Sequence, residues 1–179
     1  MKQNCLPEII TDRLLLRKLE QTDWKMISYL RSDKQVNKFV KRQSAESKEM
    51  ALEFISKTNI GIDNLNLYYW AITEKNNNEM IGSICLWKFS EIQNSAEIGY
   101  DLSPKFQGKG IMTESLNSVL DFGFKDLNLD YIEAYTHEKN ENSKKLLKKN
   151  GFTLVKNKKD DQNPDNVIYE IKSILITWI

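Results

Sequence analysis

The 179 residues carry 26 Lys and Arg against 25 Asp and Glu, a single His, and 40% hydrophobic residues. That length and apolar content suit one domain, residues 1–179, around one core, and a net charge of +1 supplies no field that would steer the chain to nucleic acid or an anionic membrane. Cys5 and Cys85 form neither metal nor redox spacing, no apolar run has the length of a membrane span or the form of a signal peptide, and the expectation is a cytoplasmic protein without a metal.

In chain order, residues 13–18 hold the apolar run Leu14, Leu15, Leu16, which suits a strand entering a core. Thr22 and Asp23 can cap a helix carrying Met26, Ile27 and Leu30. A second helix is expected over 44–55, with Ser44 as cap, Glu46 and Glu49 in its early turns, and Met50, Leu52, Phe54 and Ile55 as its face. Residues 67–73 and 80–89 are strand-like and joined by the polar turn 74–79. The turn 91–95 then leads into a run in which Ala96, Ile98, Tyr100 and Leu102 alternate with Glu97, Gly99 and Asp101. These three strands make an antiparallel meander, which Pro104 closes because it has no N–H to give a ladder.

Residues 101–115 read DLSPKFQGKGIMTES. Gly108 and Gly110 accept backbone conformations closed to other residues, and from Gly110 onward Ile111, Leu116, Val119, Leu120 and Phe124 share one face of a helix of roughly four turns. A turn that opens a helix this way aims unpaired N–H groups and the positive end of the helix dipole at one point, which suits a phosphate. A Walker loop does not fit, because Ile111 and Met112 follow Gly110 instead of Lys-Ser/Thr. A dinucleotide fingerprint does not fit either: Thr113 replaces its third glycine, and Asp130 precedes its strand. An ordinary strand-to-helix turn that binds nothing stays open as the plain alternative.

Residues 131–136 form the next strand, on the far side of the long helix, so a parallel pairing with the Glu97 strand is expected and the sheet is mixed. Over 140–152, Asn140 and Asn142 can cap a helix, Leu146 and Leu147 make its buried side, and Asn150-Gly151 supplies a left-handed stop. Lys144, Lys145, Lys148, Lys149, Lys156, Lys158 and Lys159 form a basic tract, either a solvated face or a contact for phosphates or an acidic partner. Residues 156–166 read as a loop joining the last two strands. Residues 167–179 read as one long or two short strands, with Trp178 and Ile179 in the core or on a neighbouring subunit.

From about residue 70 to 152 the chain resembles the GNAT superfamily of acetyl-CoA-dependent N-acetyltransferases, and residues 11–17 and 167–171 fit that family's outer strands. The family's Gln/Arg-x-x-Gly-x-Gly/Ala motif corresponds to Gln107, Gly108, Lys109, Gly110, Ile111 and Met112, with a departure at the last position. The strings AEIGYDL and QGKGIMTE, with an Asn-x-x-Ser helix ending in Gly-Phe, are similar to the RimJ/RimL-like branch, which acetylates protein N-termini, notably of ribosomal proteins. The resemblance implies an α/β fold, with a mixed, mostly antiparallel sheet flanked by helices and splayed between its fourth and fifth strands. It implies acetyl-CoA as acetyl donor, its pyrophosphate held by residues 107–113 including Thr113. A bulge at Gly99 would free Tyr100, Asp101 and Leu102 to contact the cofactor through the main chain. Asn140 would bond the pantetheine arm or thioester region, and Ser143 would sit near the sulfur. Leu147 stands where the common pattern has a Tyr as general acid, and Ser143 inherits that role.

Transfer to an amine needs a proton acceptor, a carbonyl held within attack distance, and a donor for the developing oxyanion. Neither cysteine has a base neighbour, so direct transfer is the simpler course. Glu97, whose pKa burial would raise, is the first candidate base; Glu133, His137, Asp160 and Asp161 compete, with His137 expected at an exposed strand end. The acceptor implied is a primary amine, foremost a protein N-terminal α-amino group, whose pKa of roughly 7.7–8.0 lies below the roughly 10.4 of lysine. A polyamine or aminoglycoside is the alternative within the enzyme class, and a non-catalytic acetyl-CoA-binding module the alternative outside it. Tyr29, Phe39, Tyr68, Trp70 and Trp87 are candidates to line the acceptor entrance, and either a monomer or a homodimer is compatible.

Overall fold

A computed structural model describes residues 6–173. Cys5, Trp178 and Ile179 lie outside them, so the expectations placed on those three residues do too. The strands are β1 (Ile9–Ile10), β2 (Leu14–Arg17), β3 (Tyr68–Glu74), β4 (Asn77–Ser90), β5 (Ser95–Leu102), β6 (Tyr131–His137), β7 (Thr153–Leu154) and β8 (Asn166–Lys172). The helices are α1 (Trp24–Ser32), α2 (Lys48–Asp63), α3 (Ile111–Lys125) and α4 (Glu141–Lys149). One sheet runs in the order β1-β2-β3-β4-β5-β6-β8-β7, antiparallel throughout except for the β5–β6 pair, as expected of two strands joined by a crossover helix.

Strand alternation sorts the core into two layers. Trp70, Ile72, Ile84, Leu86 and Ile98 face α3 with its Leu116, Val119 and Leu120, whereas Ala71 and Met80 face α1 and α2 with Ile27, Leu30, Ala51 and Ile55. Two caps differ from those expected. Ser47, not Ser44, accepts from the Met50 N–H, and the buried face of α2 is Ala51, Ile55, Thr58 and Ile62. The run of polar residues 41–49 offers several candidate caps, and burial of Ala51 and Ile55 selects the register. Asp23 makes no side-chain cap on α1; its carboxylate instead accepts from the Glu20 N–H at 2.8 Å and forks the Arg17 guanidinium at 2.8 Å, and both side chains are buried.

The β5–β6 ladder is short, with Ser95, Ala96 and Glu97 opposite Tyr131, Ile132 and Glu133. Beyond that rung β5 stays with β4 as far as Leu102, and β6 stays with β8 as far as His137, so a wedge opens between them. This is the splay expected between the fourth and fifth strands, once the two-residue β1 is set aside. Because the two strands are parallel, α3 and α4 both start from the same end of the wedge.

Candidate active site

Between β5 and α3 the chain turns through a short 3-10 segment, Pro104–Phe106, and then through Gly108 and Gly110, at φ 74 and 79. Both lie in the left-handed region that glycine enters without strain. The Gln107 side chain donates to the Leu102 carbonyl at 3.0 Å, and Arg13 of the N-terminal segment donates to the Lys109 carbonyl at 3.0 Å. Arg13 also pairs with Glu114 in the first turn of α3, at 2.6 Å, while Thr11 donates to the same carboxylate at 2.6 Å. The carbonyls of the turn are thus held from behind. None of the six amide N–H groups from Gly108 to Thr113 donates to an acceptor among the described residues. Such a nest at a helix N-terminus fits a diphosphate.

The wedge lies next along β5. Ser103 donates to Ile81 of β4 at 3.0 Å, and bonded pairs alternate along an antiparallel ladder. The register therefore turns the main chain of Gly99 and Asp101 toward β4, and that of Tyr100 and Leu102 toward the gap. Asp101 is committed twice, since its carboxylate also holds Arg42 at 2.6 Å. No bulge is present at Gly99: the β4–β5 register runs unbroken from Gly82↔Leu102 to Trp87↔Glu97. The irregularity lies beyond it, between Trp87 and Ser90, where Lys88 has φ 48. At Gly99 an added Cβ would sit 3.3 Å from the Cys85 sulfur, a tight contact to which the thiol would have to give way.

Across the gap, Asn140 caps α4 by accepting from the Ser143 N–H at 3.2 Å, which turns Ser143 toward β5. The Ser143 hydroxyl lies 2.8 Å from the Tyr100 phenol. Burial pushes the Tyr100 pKa up to about 12, against a lowering contribution from that hydrogen bond, so the phenol keeps its proton through the neutral range. Leu147, where the family pattern has Tyr, is fully buried. A phenol does reach this site, but from β5.

These groups line a cavity of about 710 Å³ that continues from the wedge toward α1, α2 and the loop after β7. Glu97, Tyr100, Asp101, Asn140, Ser143, His137 and Asp160 all border it; Glu133, Asp161 and the turn at 107–113 do not. Glu97 sits on the last rung of the β5–β6 ladder. Burial raises its pKa, Lys88 at 3.0 Å lowers it, and the charges of Glu133 and Asp160 raise it again, for a net upward shift. Its Oε2 has no hydrogen bond among the described residues. Glu133, by contrast, is buried with both oxygens on Lys158 at 2.6 Å. Lys158, though exposed, therefore belongs to an ion pair. Burial raises the Asp160 pKa, but the hydrogen bonds from Asn166 and from the backbone of Gln162 and Asn163 outweigh it and leave the carboxyl lowered. His137 is not at an exposed end: its ring packs 5.3 Å from that of Phe39, and Nδ1 accepts from the Lys139 N–H.

Of the aromatic residues expected at the entrance, Phe39 and Trp87 border the cavity. Tyr68 and Trp70 do not, because they point to the α3 side and pack edge-on with Phe122 there; Tyr29 lies outside as well. The residues missed are Tyr69, Phe54, Tyr135, Arg31 and Arg42. Tyr69 was readable, since Ala71 and Thr73 share its face opposite the bulkier Tyr68, Trp70 and Ile72. The two arginines left no local signal.

Residues 13–153 match the family model described as an acetyltransferase (GNAT) domain. The chain is 31% identical over 146 residues to the uncharacterized N-acetyltransferase YoaA of Bacillus subtilis, 82% of either chain. It is 28% identical over 143 residues to the spermidine N(1)-acetyltransferase of Vibrio cholerae, 80% of either chain. Among solved structures it is similar to RimL, a ribosomal L7/L12 alpha-N-protein acetyltransferase in complex with coenzyme A. The TM-score is 0.77 at 20% identity, over 93% of this chain and 97% of that one, which is a likeness of fold. No helix among the described residues is long and apolar enough to cross a membrane. The split sheet, the glycine turn at the start of α3 and the match over most of the chain lead to one conclusion: the chain belongs to the GNAT family and is an acetyl-CoA-dependent N-acetyltransferase.

Proposed function

We propose that the enzyme acetylates the α-amino group of a protein N-terminus, with Glu97 as general base and Ser143 as proton donor. The observation that carries this reading is the position of Glu97, half-desolvated and with one free carboxylate oxygen, on the rung where β5 and β6 part. Acetyl-CoA supplies the acyl group as a thioester. Residues 107–113, with Gln107, Gly108, Lys109, Gly110, Ile111, Met112 and Thr113 acting mainly through the main chain, would hold its pyrophosphate. Tyr100 and Leu102 would pair with the pantetheine arm across the wedge, beside Asn140. Glu97 accepts the proton that the amine loses as its nitrogen bonds to the acyl carbon. Ser143 gives a proton to the leaving sulfur and is reprotonated through the Tyr100 phenol, which takes a proton from solvent in the cavity as Glu97 releases the amine's proton to it, so that no phenolate persists.

An α-amino group asks less of a partly buried carboxylate than lysine does, because its pKa lies roughly 2 to 3 units lower. The RimL likeness points the same way at the level of fold. A polyamine is the second reading, supported by the spermidine acetyltransferase relative. On the cavity wall a polycation would meet Arg31, which has no ion pair among the described residues, whereas Arg42 and Lys88 are each paired with a carboxylate; that unpaired cation favours the first reading. The two are separated by thiol release and mass spectrometry on peptides with different first residues, polyamines and aminoglycosides. Peptide α-amines should be acetylated with the highest kcat/KM; a polyamine turned over faster than every peptide would reverse the assignment.

A further inference from the structure

Arg31, in the last turn of α1, borders the acceptor end of the cavity with its guanidinium 4.1 Å over the Phe54 ring. Of its five N–H donors, one is engaged, an Nη2 donor bonded to the Gln43 carbonyl at 2.9 Å. It forms no ion pair among the described residues. Every other basic side chain on this cavity has its counter-charge. Arg42 is forked by Asp101 at 2.6 Å, Lys88 meets Glu97 at 3.0 Å, and Lys41 lies 3.8 Å from Asp165. Arg42 keeps a single Nη1 donor, its other four going to Asp101, Asn37 and the Leu30 carbonyl. Burial lowers the Arg31 pKa and the like charge of Arg42 lowers it further; the charge of Asp101, itself forked by Arg42, offsets only part of this, the mark of a cation partly stripped of water and incompletely repaid. Its planar fork is meanwhile stacked on one aromatic face and tethered at one corner, the geometry that binds a carboxylate through two parallel hydrogen bonds.

We propose that Arg31 anchors a carboxylate that the acceptor carries close behind its reactive amine, so that the preferred N-termini have an acidic residue next to the first. This deepens the reading of N-terminal acetylation and rests on it. The test compares peptides that differ only as Asp against Asn at the second or third position, together with a free amino acid against its carboxamide. The readout is the ratio of kcat/KM within each pair. The wild type should favour the Asp member by about tenfold, as expected for one charged hydrogen-bonding contact. Arg31→Gln should bring the ratio to within about twofold of unity, and Arg31→Lys, a point charge without the fork, should leave an intermediate ratio. A ratio near one in the wild type, or a preference that survives in Arg31→Gln, overturns the proposal. If Arg31→Gln does not fold, the wild-type ratio and its Arg31→Lys counterpart decide alone. If no peptide reacts, N-terminal acetylation is lost as the activity. Arg31 is then judged on the amino acid pair, where a missing preference for the carboxylate sinks it.

Discussion

Around Gly108 and Gly110 the ligand-facing groups are main-chain amides, contributed by consecutive residues whose positions follow from two glycines and a helix start. Around Glu97 they are side chains brought from α1, α2, β3, β4, β5, β6, α4, β8 and intervening loops, and held by pairings such as Arg42 with Asp101 across 59 residues. The first region presents one kind of group and suits a ligand part common to every reaction of the family. The second pairs most of the charges it contains, holds Asp160 by neutral donors, and leaves open one oxygen of Glu97 and most of the Arg31 guanidinium. Generic recognition thus resides in backbone and selective recognition in side chains, and each should be breakable without the other.

The largest effect is expected at Glu97. Glu97→Gln should lower kcat roughly a hundredfold and leave the dissociation constant of acetyl-CoA, measured by calorimetry, unchanged. A base works only when deprotonated, so the wild-type rate should fall as pH drops through the Glu97 pKa. That pKa is raised, so the acid limb lies at higher pH than for an ordinary glutamate. The limb should be absent in Glu97→Gln. Removing the lowering influence of the ammonium by Lys88→Met should move the limb higher still. Wild-type turnover in Glu97→Gln, with an acid limb below that of an ordinary carboxylate, would transfer the role to Asp160, whose pKa is lowered.

Gly110→Val should have the complementary signature. A Cβ there meets a φ of 79 and lies 3.4 Å from the Arg13 guanidinium. Left-handed strain of about 1–2 kcal/mol predicts that the KM for acetyl-CoA rises roughly tenfold. The acid limb of the profile should stay where it was. A variant that kept acetyl-CoA affinity but lost the limb would show that the two regions are not separable.

The same contrast explains what was legible in the sequence. Residues 95–102 alternate on both faces, and the helix after Gly110 announces itself by its apolar spacing, so β5, the turn and α3 could be placed without a structure. Parallel pairing of β5 and β6 followed from the intervening helix. The cap of α2 was misplaced because a polar run contains several serines and only burial of Ala51 and Ile55 chooses among them. The bulge expected at Gly99 is absent because a glycine in a strand signals either a kink or a close neighbour, and here the neighbour is the Cys85 sulfur. The partners of Glu133 and Asp101 were illegible, because ion pairs across 25 and 59 residues leave no periodicity along the chain.

Tyr100 belongs to both regions and gives the smallest but most discriminating test. Its main chain faces the wedge, while its phenol meets Ser143 at 2.8 Å. Tyr100→Phe removes only the hydroxyl, so acetyl-CoA affinity should be retained while kcat falls roughly three- to tenfold, the loss of one hydrogen bond of ordinary strength. The fall should be the same from acid to neutral pH, because a phenol with a pKa of about 12 does not titrate there. Ser143→Ala should cost at least as much, since the proposed mechanism puts Ser143 between the phenol and the sulfur. If the two hydroxyls form one relay, the double variant should be no slower than Ser143→Ala alone. Multiplied losses in the double variant would make them independent contacts, and weaker acetyl-CoA binding in Tyr100→Phe would mean that the phenol, and not only the backbone, belongs to the generic half of the site.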